Sequence, residues 1–487
     1  MKKLIVLCLL IIGGSNAIAQ QVFTLDSCRN MAINNNKQIR IANEKIKAAG
    51  YEKKSAFANY LPGFDAVGGY MYNSKEISLL SDKQKEQLSN AGTNTLAPIM
   101  QQIIAQHPEL GPQLQQLGAG IINSVNGAGQ SLVNALRTNT TNMFGGAITL
   151  TQPIYMGGKI RAYNQITKYA EELAKTQKNT AVKDLVFQTD EIYWQVVSLV
   201  YKKKLAESYA DLLDSLYQNV EAMIAEGVAT QSDGLTVAVK QNEAQITLTK
   251  VSDGLSLSKM LLAQICGLPI NMPYTLADEI EELHEENLPT PTNSINMDEV
   301  YANRSEIQSL TLATEIYKQK QKVALSAMLP NLALTGSYMF SNPNVFNSFE
   351  KRVDGFFNVG VMLKIPVFHW GKDFYKVKAA KTERNIALLN LEEAKEKIEL
   401  QVNQATFKVN ERWRILTYKS MPSVASREKA EENLRNAQIG FEEGVLTTDN
   451  VLEAQTAWLQ AQSEKIDAEI DVRLCEVYLS KAMGLMK

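Results

Sequence analysis

Catalysis needs nucleophiles, bases or metal ligands within reach of one another, and this chain spreads its candidates thinly. Its three histidines, His107, His284 and His369, have no second ligand at metal-binding spacing. Its cysteines are Cys8, Cys28, Cys266 and Cys475, with no close pair. Cys8 falls in an N-terminal leader, and three remaining thiols cannot make a disulfide framework. They read as buried apolar packing, with one disulfide left open. No nucleophile elbow, dinucleotide-binding turn or pair of active-site carboxylates is legible. Gly118-Ala119-Gly120 and Gly127-Ala128-Gly129 lack the Lys-Ser or Lys-Thr of a phosphate-binding loop and read as flexible turns. The acids Asp278, Glu279, Glu281, Glu282, Glu285 and Glu286 crowd one proline-rich segment, a pattern of solvated surface. The expectation is a protein that is no enzyme and holds no cofactor and no metal. What recurs instead is QPIYMGGK at 152–159 and IPVFHWGK at 365–372. Pro153 and Pro366 remove a ladder donor, and Gly157, Gly158 and Gly371 permit a sharp change of direction. The phrase reads as a joint from strand to helix, with His369 one of its aromatics.

The elements around that joint follow from the rest of the chain. Its 487 residues carry 50 basic and 52 acidic side chains with no basic tract, which argues against nucleic acid as a partner. Lys2 and Lys3 precede an apolar run from Leu4 to Ile12 and the triplet Ala17-Ile18-Ala19, so residues 1–19 read as a secretory signal peptide. After it no stretch reaches 18 consecutive apolar residues, so any membrane segment must be β.

The chain is one unit written twice. Ile39, Pro62, Tyr70 and Met71 match Ile307, Pro330, Tyr338 and Met339 at an offset of 268 residues. Pro153, Gly158 and Lys159 match Pro366, Gly371 and Lys372 at 213; Gly227, Asp233, Leu235, Gly267 and Leu268 match Gly444, Asn450, Leu452, Gly484 and Leu485 at 217. The first copy therefore carries 55 extra residues, which fall in 73–142, read as a long loop with room for short helices. The second copy gains four residues, about one helical turn, placed near Pro422. Each unit reads helix, strand, loop, strand, long helix, tight turn, helix. Leu185, Ile192, Val196, Leu199, Ala206, Leu213, Leu216 and Val220 recur at helical spacing, as do Leu391, Ile398, Val402, Ala405, Val409, Trp413 and Leu416. Residues 24–59 with 234–266, and 297–329 with 448–484, have the length to stack end to end along these long helices.

Strands are expected near 62–72, 145–155, 331–340 and 358–368. Val359, Val361, Leu363, Ile365 and Val367 alternate with Asn358, Gly360, Met362 and Lys364, and Leu332, Leu334, Gly336, Tyr338 and Phe340 with Ala333, Thr335, Ser337 and Met339. Phe64, Ala66, Gly68, Tyr70, Tyr72, Ile148 and Leu150 fall on the same apolar face. Each strand is near bilayer-crossing length, and aromatics sit at the two ends of the set, Tyr70, Tyr72, Tyr338 and Phe340 at one and Tyr155, Phe368 and Trp370 at the other. Four strands cannot close a barrel, so several copies must assemble.

The doubled joint and the turn Gly444-Val445-Leu446-Thr447-Thr448-Asp449-Asn450-Val451-Leu452-Glu453-Ala454-Gln455 resemble the TolC-like outer membrane efflux family. The likeness runs through the mature chain except for 73–142. It implies a mainly α fold with membrane β: a homotrimer whose twelve strands close an outer membrane barrel continuous with twelve helical columns in the periplasm. It implies an exit duct of a tripartite efflux or type I secretion system, working in outer membrane lipid with a periplasmic membrane-fusion adaptor and an inner membrane pump of RND, ABC or MFS type. The implied divisions are a first repeat at 20–267, a linker at 268–296 around the waist and a second repeat at 297–487. The tip turns at 226–234 and 443–451 would dock the adaptor through Gly227, Val228, Asp233, Leu235, Gly444, Val445, Asn450 and Leu452. Gly227 and Gly444 suit the left-handed end of one helix, and Asp233 and Asn450 the N-cap of the next. By position, Asn450 and Glu453, with Asp233, would form the lumen gate. A periplasmic adaptor, or a long-helix structural protein or adhesin of the envelope, is the alternative. The first should show one hairpin, and the second should lack bilayer-length strands.

Overall fold

The computed structural model describes residues 21–106, 108, 111–138, 140–280, 295–347 and 349–486, without the side chains of 113, 413 and 415–427. Residues 1–20, read above as holding a signal peptide, and His107, His284 and the acids from Glu281 to Glu286 lie outside those residues. The first copy runs β1 (Gln21–Phe23), α1 (Leu25–Asn35), α2 (Lys37–Ala58), β2 (Gly63–Tyr72), α3 (Asp82–Ser89), α4 (Ala91–Gln106), α5 (Gly111–Ala135), β3 (Asn142–Met156), α6 (Lys159–Ala225) and α7 (Gln231–Cys266). After β4 (Tyr274–Leu276) the second copy runs α8 (Met297–Asn303), α9 (Ser305–Ser326), β5 (Asn331–Asn342), β6 (Asp354–Lys364), α10 (Lys372–Glu442) and α11 (Thr448–Met483). The chain divides into a helical unit (Met1–Lys53, Gln165–Lys320, Ala379–Lys487) and a sheet unit (Lys54–Asn164, Gln321–Lys378).

In the helical unit the apolar spacing does what its period demands. Leu185, Val196, Leu213, Leu216 and Val220 of α6 are all buried. At 67 residues α6 is ~100 Å long by helical rise. α10 has 71 residues and runs unbroken through Pro422, so the extra turn of the second copy lies within this helix. The short columns differ from expectation. They begin at Lys37 and Ser305, not at 24 and 297, because Asn36 and Arg304 take extended backbone and break the helix before them. At the break before α2 the chain is held to the end of α7, Asn35 Nδ2 donating to the Cys266 carbonyl at 3.2 Å and Asn36 Nδ2 to the Ile265 carbonyl at 3.5 Å. α9 abuts α11, where Arg304 donates to the carbonyls of Lys481 and Ala482 at 3.1 and 3.0 Å. The paired lengths, 22 with 36 residues, are the same in both copies.

α1, freed from the column, is tied to α6: Arg29 grips the buried Asp190 through both oxygens at 2.7 and 2.6 Å. β1 pairs in parallel with β4, Gln21 against Tyr274 and Phe23 against Leu276, a two-strand ladder missed in the sequence. Just after it, two of the acids read as solvated surface are held inward. Glu279 is buried and paired to Lys259 at 3.0 Å, and Asp278 accepts the Tyr193 hydroxyl. Burial and that acceptor together push the Tyr193 phenol well above its ordinary range.

In the sheet unit the strands follow the order β2-β3-β5-β6, all antiparallel. β6 ends at Lys364, not at 368, because its partner β5 starts at Asn331 and has nothing further to offer it. β3 runs on to Met156 through a register shift between Pro153 and Tyr155. Pro153 therefore sits inside a bulged ladder instead of ending it, while Pro366 does lie beyond its strand. The region 73–142 is mostly helical. Gly118, Gly120, Gly127 and Gly129 lie inside α5, not in turns. Two of them are contact points: a Cβ on Gly118 would meet Met100 Cε at 2.0 Å, and one on Gly129 the Leu88 carbonyl oxygen at 1.9 Å. Glycine here lets α5 approach α4 and α3 closely.

Candidate functional site

The ladder register sorts the sheet into two faces, since residues directly opposite share a side. Ala66 stands against Ile148, Ile148 against Tyr338, and Tyr338 against Phe357. Phe64, Leu150, Gly336 and Val359 form the next such row, and Leu334 pairs with Val361. Phe64, Tyr70, Phe357, Val359 and Val361 are all open, with Phe357 77 % exposed. The opposite face carries the row Asp65, Thr149, Ser337, Asn358 and, beyond it, Gly63, Thr151, Thr335, Gly360. Pattern alone found the alternation. The alignment of Asp65 with three polar residues across four strands needed the register. β2 and β6 are the outer strands, so each leaves one row of backbone donors and acceptors without a ladder partner among the described residues.

At the joints both copies use two consecutive residues in the left-handed region. Gly157 and Gly158 have φ of 60° and 79°; Trp370 and Gly371 have 52° and 79°. Gly157 is forced, because a Cβ there would lie 2.7 Å from the Ser326 carbonyl oxygen. Trp370 has no such neighbour constraint and points outward, 88 % exposed, its ring 5.1 Å from that of Phe368. His369 contacts Asp373 in the first turn of α10, and that contact holds the Asp373 carboxyl below its usual range.

The helix tips are matched in detail. Val228 N–H reaches the Met223 carbonyl at 2.8 Å and Gly227 N–H the Ile224 carbonyl at 3.0 Å; Val445 and Gly444 repeat this with Gly440 and Phe441 at 2.8 and 2.9 Å. Gly227 and Gly444 have φ of 76° and 74°, as the left-handed end requires. The N-caps are Thr230 and Thr447, not Asp233 and Asn450. Asp233 and Asn450 are the third-position partners of capping boxes, accepting the Thr230 and Thr447 N–H at 2.9 and 3.1 Å. The Thr230 N–H holds the Asp233 carboxyl below its ordinary value. Capping thus occupies oxygens assigned above to a gate. Val228, Leu235 and Val445 are exposed, the last by 79 %, whereas Leu452 is 7 % exposed and packs with Val220, Val237 and Phe441. Leu452 is core, so it presents no docking surface. Glu453, one position on, is exposed. The buried Gln455 donates to the Leu212 carbonyl at 3.4 Å and ties α11 to α6, a link that spacing did not reveal.

The thiols behave as packing. Cys28 and Cys266 are buried side by side, Cys266 Sγ lying 3.6 Å from the Cys28 carbonyl oxygen, and both are free.

This duplicated arrangement has relatives. The model of the outer membrane efflux protein family matches residues 101–268 and 296–485. The chain belongs to that family. The match begins inside the insert and takes in α5, against the expectation that all of 73–142 stands apart. Outer membrane protein TolC of Escherichia coli (strain K12) is 22% identical over 448 residues, 86% of this chain and 85% of that protein. The Campylobacter jejuni CmeC outer membrane channel superposes with a TM-score of 0.71 at 16% identity, covering 95% of this chain and 86% of that one. The Vibrio cholerae outer membrane protein VceC gives 0.68 at 13%, covering 94% and 96%. The fold is that of these channels: mainly helical with a membrane sheet. An outer membrane efflux protein is a channel component and its family is not one of enzymes. Membership sets aside the adaptor and adhesin alternatives.

Proposed function

We propose that three copies of this outer membrane efflux protein share one twelve-stranded barrel and act as the exit duct of a tripartite efflux or type I secretion system. The observation that carries the reading is the four-stranded sheet with two unpaired edges and one face of open aromatic and branched side chains. In hydrocarbon an unpaired backbone group costs several kcal/mol, so β6 of one copy pairs with β2 of the next until the barrel closes. The apolar face meets lipid, and the face with Asp65, Thr149, Ser337 and Asn358 lines the bore. In this assignment 20–267 and 297–487 are the two repeats, and 268–296 links them.

The tips meet a periplasmic adaptor through Val228, Leu235 and Val445, which lie exposed around well-capped turns, and through it an inner membrane pump of RND, ABC or MFS type. Three Glu453 carboxylates around the axis gather cations at the entrance. The test is planar-bilayer recording of the purified protein. Cation-preferring conductance is expected; no conductance, or conductance without charge preference, contradicts the duct and its acidic entrance in turn.

A further inference from the structure

We propose that α5 is a self-association helix: the three inserts of one trimer pack on one another through the face of Leu117, Ile121, Val125 and Leu132, capping the outer mouth of the barrel. The proposal rests on the trimeric reading above.

The insert leaves the sheet at Tyr72 and returns at Asn142, the end opposite the Gly158 and Gly371 joints. With the long helices on the periplasmic side, that end faces outward. The insert is firmly mounted. Arg137 grips Glu76 through Nε and Nη2 at 2.8 and 2.9 Å, Asn73 N–H reaches the Thr141 carbonyl at 2.8 Å, and Ile77 N–H the Thr140 hydroxyl at 2.6 Å. In the ring proposed above, β6 of one copy lies beside β2 of the next, so the three inserts stand four strands apart around one rim, and α5, 25 residues and ~37 Å long by helical rise, is long enough to reach across the mouth.

Two faces of α5 have different work. The face of Gly118, Ile122 and Gly129 is consumed within the chain against Met100, Gly92 and Leu88. About a quarter turn away, Leu117, Ile121 and Leu132 stay open, Leu117 by 67 %, while Val125 borders both faces, partly exposed with its Cβ beside Gly92 of α4. Between Glu86 and Arg137 the sole charged side chain is Glu109. A solvent-facing helix pair of this size ordinarily carries charge on about a quarter of its residues. Near a threefold axis each side chain meets its own copies, where a charge would face two like charges, while Asn, Gln and Ser can both donate and accept. A membrane-surface helix would instead place Lys and Arg on its polar face, and here that face holds Gln116, Asn123, Gln130 and Asn134.

The test uses the full-length protein in detergent, oxidised with copper phenanthroline, as Ile121→Cys and, for comparison, Asn123→Cys on the polar face. A crosslinked dimer on non-reducing denaturing gels is expected for Ile121→Cys and not for Asn123→Cys. Ile121→Asp should lower the melting temperature of the trimer without dissociating it. Equal crosslinking of both cysteine variants, or none with Ile121→Cys while the native mass remains trimeric, overturns the cap and leaves the barrel reading intact. A monomeric wild-type mass overturns the trimer itself.

Discussion

Gly157 and Trp370 occupy equivalent places in the two joints, both with positive φ, yet only one is a glycine. The difference is room. Gly157→Ala drives a Cβ into the Ser326 carbonyl and adds the left-handed cost of ~1–2 kcal/mol, while Gly158→Ala meets nothing within 4 Å and bears that cost alone. Denaturant unfolding should therefore show Gly157→Ala as the more destabilised of the two, and equal effects would contradict the close approach. The acidic positions make a second prediction. Glu453→Gln should reduce cation preference in bilayer recordings, and Asp65→Asn should reduce it further if the Asp65 row lines the bore. A third concerns pH. Lys53 and Lys175 hold the Glu171 carboxyl at about 2. Its stabilisation is present above the ordinary carboxylate range and is lost as pH falls from there toward 2. The Glu171→Gln variant should melt slightly below wild type at pH 6 and merge with it near pH 2, the gap being small because surface pairs are screened. A gap that widens on acidification would contradict the pairing. Sequence spacing reached the glycines of the turns, whose need for positive φ is local. It missed Thr230 and Thr447 as caps because Asp233 and Asn450 are equally good capping residues, and only the hydrogen bonds tell which oxygen serves which N–H.

Among elements, α6 and α10 were legible because a 3.6-residue period held over more than sixty residues cannot be confused with a strand. The insert was not. Gly118, Gly120, Gly127 and Gly129 carry the composition of turns, and their packing role depends on Met100 and Leu88, which lie on other helices. Gly129→Ala should destabilise the protein by about 1–3 kcal/mol, because the Leu88 backbone must move. Gly120→Ala, with nothing within 4 Å, should stabilise by roughly 0.5–1 kcal/mol. The reverse order in thermal unfolding would contradict the packing of α3 on α5. α1 rests on an ion pair whose acid is fully buried. Arg29→Met leaves Asp190 uncompensated and should cost about 3–5 kcal/mol, with Arg29→Met/Asp190→Leu recovering most of it.

For the whole molecule, duplication gives two hairpins of strands where a closed barrel needs more, and the sequence already implied that shortfall. The register adds which edges remain and which rows meet. Pro153 and the early end of β6 could not be read from alternation, since both are fixed by where β5 begins. A single chain with β2 and β6 open is an intermediate, and the finished channel is expected only when copies pair edge to edge. Native mass spectrometry of the protein extracted in mild detergent measures this most directly. A mass three times that of the mature chain, lost when detergent is withheld, is the expected result; a monomer stable in plain aqueous buffer would contradict the shared barrel.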